Sequence, residues 1–286
     1  MKLAGVGDNV VDRYRDLGTM FPGGQALNVA VHARRFGIHA AYVGALGDDV
    51  AGRHVLEAIR AEGLDSERLR VVHGANASAE VALIEGNREF VGGDAGVSRI
   101  QLDPDDLAFL SGFDLIHSSE SSYLEDQLPL LAGVAPLSYD FSVRRESAYL
   151  EPLLPYVQIA EFSLADLDEA AAEAWLERIH GLGPQLVLAT RGSADALLYD
   201  GRRFWRQPSV PTELIDSLGA GDAFIARFLV GVLRDEPFDR SLASAATTAS
   251  ATCGSYGAFG YGTAAYPPIQ PEGGASIASP VPAPGA

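Results

Sequence analysis

Asp222 is the side chain in this sequence best placed to do chemistry. It follows Gly219-Ala220-Gly221 and opens an apolar run, Ala223 to Val232, that reads as a helix; a short strand-like run, Thr212 to Ile215, leads in. Small residues let the backbone approach a ligand closely. The first amides of a helix have no intrahelical partner and carry a partial positive charge. Such a turn is an anion site, and a carboxylate beside it is a poor anion binder but a good candidate base. A plainer reading fits the same residues, with Asp222 as a helix cap and the glycines as a turn. The four residues alone leave both open.

Two further stretches carry polar groups at expected strand ends. Asp8 and Asp12 follow a buried strand at residues 3–7, where the ligand crevice of an open α/β sheet lies. Gly23-Gly24 precedes a helix expected from about Ala26 to Phe36, with Asn28 facing the opening one turn in. Each stretch reads equally well as a solvated loop or an ordinary helix entry.

Composition excludes several classes of protein. The net charge of −17 argues against nucleic acid and anionic membranes as partners. No run of 18 apolar residues is present, so no membrane-spanning helix is expected, and the first residues read as strand and turn rather than a targeting signal. A cytoplasmic protein fits best. The one cysteine, Cys253, excludes an internal disulfide and reads as a small buried apolar residue. Lys2 is the only lysine, against 20 arginines. The lysine of a P-loop and the strand lysine of a protein kinase are therefore both missing. Any phosphate transfer would therefore have to rely on backbone amides, arginine and a metal.

The elements that must position these residues alternate strand and helix, which predicts right-handed βαβ units and a mostly parallel sheet. Strands are expected at 40–43, 114–117, 138–141, 157–162 and 186–189, and helices at 50–62, 223–233 and 241–253. Two strands at 79–84 and 88–91, joined at Glu85-Gly86-Asn87, form a hairpin. It projects as a lid over the site and offers a surface for a second subunit. A second hairpin is expected at 196–206. His32 and His54 read as structural, while His117 ends a strand near the crevice. Residues 262–286 are rich in Pro, Gly, Ala and Ser and read as a disordered tail after a folded domain at 1–261.

Taken together, Gly23-Gly24 with Asn28, Gly47-Asp48-Asp49 after a strand, and Asp216-Ser217-Leu218-Gly219-Ala220-Gly221-Asp222 resemble the two signatures of the PfkB (ribokinase-like) carbohydrate kinases in order and separation. The likeness runs from residue 1 to about 261. Within that family, Gly7–Tyr14, Gly24–Val31, Phe204–Gln207 and Ile215–Leu218 look like the fructoselysine 6-kinases.

The resemblance implies a three-layer αβα fold with a β lid, its strands at about 8–16 and 78–93. It also implies ATP and Mg²⁺, with K⁺ as a further candidate. Asp222 matches the catalytic base, and Gly219, Ala220 and Gly221 match the anion hole. Asp12, Gly23, Gly24 and Asn28 match sugar-binding positions, with Asp8, Glu80 and Arg88 as neighbours. Asp8, Asp12 and Glu80 would suit a substrate ammonium group. Thr190, Arg191 and Gly192 match a nucleotide-binding turn, and Arg144 an arginine near phosphate. Ala249–Gly257 would flank adenine. Asp216 matches a position linked to monovalent cations.

One departure stands out. The family's Asn-x-x-Glu falls on Ser163-Leu164-Ala165-Asp166, leaving Asp166 as the metal candidate with a side chain one methylene shorter. The expected activity is phosphorylation of a fructosamine at the sugar O6. A kinase of another sugar or nucleoside, and a non-catalytic sensor on the same fold, are the alternatives.

Overall fold

The computed structural model describes residues 1–84 and 87–268, without the side chains of 83–89. In chain order, β1 (Lys2–Val6), β2 (Val10–Tyr14) and β3 (Thr19–Gly23) lead into α1 (Gln25–Arg35). Then come β4 (His39–Val43), β5 (Ala45–Gly47), α2 (Val50–Ala61), β6 (Arg70–Val72), β7 (Ser78–Ile84) and β8 (Asn87–Asp94). The middle of the chain holds α3 (Pro104–Leu110), β9 (Leu115–Ser119), α4 (Leu128–Ala132), β10 (Leu137–Asp140), α5 (Ser147–Leu150) and β11 (Ile159–Ser163). The rest is α6 (Glu169–His180), β12 (Leu186–Thr190), β13 (Ala196–Tyr199), β14 (Phe204–Gln207), α7 (Ala220–Leu233), α8 (Phe238–Thr252) and β15 (Thr263–Ala264).

Eight strands form the main sheet in the order β14-β13-β12-β11-β10-β9-β1-β4. It is parallel from β4 to β12, and the hairpin β13–β14 closes one edge antiparallel. Strands covered on both faces need near-continuous apolar residues, and Leu3, Ala4 and Val6 of β1 are fully buried. Alternate side chains feed two cores. Leu3, Leu115, Ile159 and Leu188 pack with α1, α7 and α8, while Ala4, Ile116, Ala160 and Val187 pack on the opposite face with Leu110, Leu131 and Leu176.

A second sheet, β15-β3-β2-β7-β8, carries the expected lid strands. It is larger than the sequence reading gives it. β3 lies in a Gly- and Pro-bearing stretch without apolar alternation, so pattern alone does not mark it. The expected turn at Glu85-Gly86 lies outside the described residues.

Two boundaries move. The strand-like run Thr212–Ile215 is not a strand but a loop, fastened by Ile215 and Asp216 amides to the Cys253 carbonyl. The chain past 261 stays on the fold: Thr263 and Ala264 pair with β3, and Arg13 donates to the Pro267 carbonyl. The rest of the expected tail, 269–286, lies outside the described residues. Cys253 is half-buried rather than buried. No helix among the described residues is long and apolar enough to cross a membrane.

Candidate active site

The N-terminus of α7 is built for close approach. Gly219 caps it with φ 73°, a conformation L side chains rarely adopt, and a Cβ there would sit 2.4 Å from the Ala258 Cβ. A Cβ at Gly221 would meet nothing within 4 Å, so the turn faces open space. Asp222 lies in this first turn, 9% exposed. Its Oδ2 accepts a 2.7 Å hydrogen bond from Asn28 Nδ2, one turn into α1. The amide therefore aims the carboxylate, and the Asn28 Oδ1 is left buried without a protein partner.

The N-terminus of α1 is built otherwise. Gly24 has φ 110°, and a Cβ there would lie 2.5 Å from the Asn9 Cα. The Asp8 carboxylate covers the helix end. Its Oδ2 accepts from the Gln25 amide at 2.7 Å, and its Oδ1 from the Ala26 amide and the Ser119 and Ser122 hydroxyls. With four donors on it, Asp8 is a structural cap and not a free sugar ligand.

Beside this helix end lies a carboxylate the sequence reading did not assign. Asp140, at the end of β10 and 7% exposed, accepts from Gln25 Nε2 and the Ser142 amide, each at 2.7 Å. Burial drives its carboxyl up to about 7. The Ser142 amide holds it down in part, and the negative charges of Asp222, Glu120 and Asp8 add to the rise. Glu120, just past β9, is the other unassigned acidic group, held by Arg144 Nε at 3.3 Å.

The lid places Asp12 buried against Gly23, where a Cβ would fall 2.2 Å from the Asp12 Oδ2. That contact explains why a glycine stands there. Glu80 is not free for a substrate ammonium group. Its carboxylate lies 2.9 Å from Arg13 of β2 and 3.4 Å from Arg15, just past the strand's end. The Arg88 side chain lies outside the described residues.

Two residues on from Asp12, the Tyr14 hydroxyl donates to the Asp216 Oδ2, which also accepts from the Gly257 amide at 3.0 Å. The Asp216 Oδ1 accepts from the Leu218 amide at 3.0 Å. Donors occupy both oxygens, the wrong complement for a cation. Asp216 is better described as a clamp joining the lid, the glycine turn and the segment after α8.

At the ends of β11 and β12, where the sequence predicts a nucleotide-binding turn, Ser163 lies beside Thr190 as the sheet register requires. Gly192 turns the chain with φ 61°. Arg191 does not point at ligand space: it is buried and donates to the Leu167 and Asp195 carbonyls. Arg144 is half-exposed. Asp166 is gripped by both Nη atoms of Arg145, which pulls its carboxyl down to about 2. That pairing does not fit Asp166 as a metal ligand, and the described residues hold no cluster of three metal-binding side chains.

His117 is also away from ligand space. It is fully buried, its Nδ1 2.9 Å from Ser138 Oγ, which donates to Glu161. Burial lowers the His117 pKa to about 3 and raises that of Glu161. Asp140 was legible as a strand-end residue, and the Gln25 contact with it was not, because the two are 115 positions apart.

Known proteins resemble this chain in sequence and fold. Residues 8–260 match the pfkB family carbohydrate kinase pattern. The fructosamine kinase FrlD of Bacillus subtilis is 45% identical over 96% of this chain and 98% of its own. The fructoselysine 6-kinase of Escherichia coli is 32% identical over 90% of this chain and 99% of its own. Among solved structures, Arabidopsis thaliana ribokinase complexed with ribose and ATP superposes with a TM-score of 0.77, covering 90% of this chain and 93% of the other at 21% identity. With the glycine turn, its aspartate and the lid all in place, and with likeness over nearly the whole length, the chain belongs to the pfkB family of carbohydrate kinases.

Proposed function

We propose that the protein transfers the γ-phosphoryl group of ATP to O6 of a fructosamine, with Asp222 as base. The observation that carries this reading is the Asn28–Asp222 pair set beside the open first turn of α7. Asp222 takes the proton of the sugar hydroxyl as its oxygen bonds to the γ-phosphorus, and the bond to the ADP oxygen breaks. General-base help is typically worth about 10²–10⁴-fold. The Gly219 and Gly221 amides face the charge on the transferred group, which the helix dipole also favours, while the Ala220 amide donates to the Ser217 carbonyl at 3.3 Å. Asp12 and Asn28 are placed to hold sugar hydroxyls. The segment 249–257, whose Cys253 carbonyl fastens the loop before α7, would flank the adenine.

Mg²⁺ neutralises phosphate charge in such transfers, and we write it as arriving on ATP because Asp166 is held by Arg145. The donor set on Asp216 argues for activity without K⁺. The fructosamine assignment rests on the names and identities of the two bacterial relatives. A sensor would have no use for a base beside open amides. We place the enzyme in the cytoplasm, with its ATP supply.

The test is ADP release with MgATP and a panel holding fructosamines, ribose, fructose and a nucleoside. Turnover of a fructosamine, lost by about 10²–10⁴-fold in Asp222→Asn, is expected. Turnover of ribose or fructose alone would overturn the substrate assignment, and an Asp222→Asn variant near wild type the base.

A homodimer through the lid is part of the same reading, since β8 is an edge strand carrying exposed Phe90 and Val91. Sedimentation should give twice the chain mass for wild type and the chain mass for Phe90→Glu. A monomeric wild type rules the dimer out.

A further inference from the structure

The first turn of α1 presents two amides, Gln25 and Asn28, three residues apart. That spacing sets them on one helix face with Cβ atoms about 5–6 Å apart. Each donates its NH₂ at 2.7 Å to a carboxylate, Asn28 to Asp222 and Gln25 to Asp140. Each leaves its carbonyl oxygen buried without a protein partner. Asn28 itself is 3% exposed. The first pair holds the base. The second has no part in proton transfer.

We propose that the Gln25–Asp140 pair is the seat of a substrate ammonium group, and so the specificity determinant for amine-bearing sugars. This deepens the kinase reading and rests on it.

The chemistry of the spot is one-sided. Asp140, Asp222 and the two orphaned carbonyls accept hydrogen bonds, and no cationic side chain among the described residues pairs with Asp140. The charges near it are negative: Asp8 after β1, Glu120 after β9 and Asp222 on α7. Glu161, its register partner on β11, is buried and driven toward its neutral form. The two arginines that follow Asp140 in the same loop are engaged elsewhere, Arg144 with Glu120 and Arg145 with Asp166. Buried acceptors without donors are costly. A ligand with N⁺–H donors satisfies the carbonyl oxygens and the carboxylate at once, whereas a neutral sugar brings hydroxyls but no charge. The other acidic residues are poorer seats, since Asp8 caps α1 and Glu80 lies between two arginines. The raised pKa of Asp140 agrees: without a cation the carboxyl drifts toward its neutral form, and a bound ammonium group would restore its charge.

Two measurements on the full chain test this. Calorimetric binding of 1-amino-1-deoxyfructose and of fructose needs no turnover. Wild type should bind the amine at least about 10-fold more tightly at pH 8, and the preference should shrink below pH 6 as Asp140 takes its proton. Equal affinities at pH 8 overturn the proposal whatever the enzyme phosphorylates. In Asp140→Asn, whose carbonyl oxygen can still accept from the Ser142 amide while its NH₂ donates to a turned Gln25 carbonyl, the ratio of kcat/KM for a fructosamine over fructose should fall at least about 10-fold, chiefly through KM for the fructosamine. An unchanged ratio overturns the proposal. Failure of wild type to turn over either sugar would instead count against the kinase reading.

Discussion

The N-termini of α1 and α7 lie on the same side of the sheet, and each follows a glycine of positive φ. One is filled and the other open. At α1 the Asp8 carboxylate lies across the amides of Gln25 and Ala26 and is locked by two serines. At α7 the Gly221 side of the turn faces empty space, and the carboxylate in that turn is aimed by Asn28 from the neighbouring helix. The same dipole and the same donors thus serve two ends. At α1 they stabilise an internal anion that fixes where Gln25 and Asn28 stand. At α7 no protein carboxylate is set across the turn at Gly221, and we propose that its amides serve a ligand. A glycine before a helix does not by itself mark a phosphate site; what decides is whether the protein supplies its own anion.

Two substitutions should separate these roles. Asp8→Ala removes the acceptor of two amides and two buried hydroxyls. The expected cost is about 3 kcal/mol, a fall in Tm of roughly 6–12 °C. Gly221→Ala adds a methyl group where the protein has nothing to meet it. Its Tm should hold or rise slightly, because alanine is the better helix former by roughly 0.5–1 kcal/mol. Its kcat should fall by about 10²-fold, the scale of losing one preorganised donor. Thermal unfolding and steady-state kinetics on both variants check the contrast. A Gly221→Ala of lowered Tm with normal kcat, or an Asp8→Ala as stable as wild type, would break it.

The strand–helix alternation and the glycine-rich turn were legible because they are local: periodicity and turn chemistry sit within a few residues. Asp222 was legible for the same reason. What the sequence hides is which carboxylates are free. Asp8, Glu80, Asp166 and Asp216 all look like ligands by type and position. Each is matched by donors from elsewhere in the chain: Ser122 at a separation of 114 for Asp8, Arg13 for Glu80, Arg145 for Asp166 and Tyr14 for Asp216. Asp140 reverses the case. It reads as an ordinary strand end, and only the fold shows that no arginine among the described side chains pairs with it. Strand β3 was missed because Pro22 and Gly23 break its pattern, although the register with β2 is regular from Val10 to Tyr14.

The smallest expected effect tests how the lid speaks to the open helix end. Tyr14 belongs to β2, the strand that carries Asp12, and its hydroxyl reaches the Asp216 carboxylate, which in turn holds the amides of Leu218 and Gly257. The Tyr14 ring is fixed edge-on to Phe21 and Tyr256, at centroid distances of 5.3 and 6.1 Å. Tyr14→Phe keeps the packing and removes one hydrogen bond to a buried charge, worth about 1.5–3 kcal/mol. If the bond only stabilises the fold, Tm falls and both kinetic constants stay. If it positions the glycine turn against the strand proposed to hold the sugar, kcat falls several-fold while KM for ATP holds. The carboxylate, short of a donor, then becomes a better cation site, so KCl should partly rescue kcat in the variant and leave wild type unchanged. A salt-independent variant with wild-type kcat would reduce Tyr14 to a packing residue and detach the lid from the turn it faces.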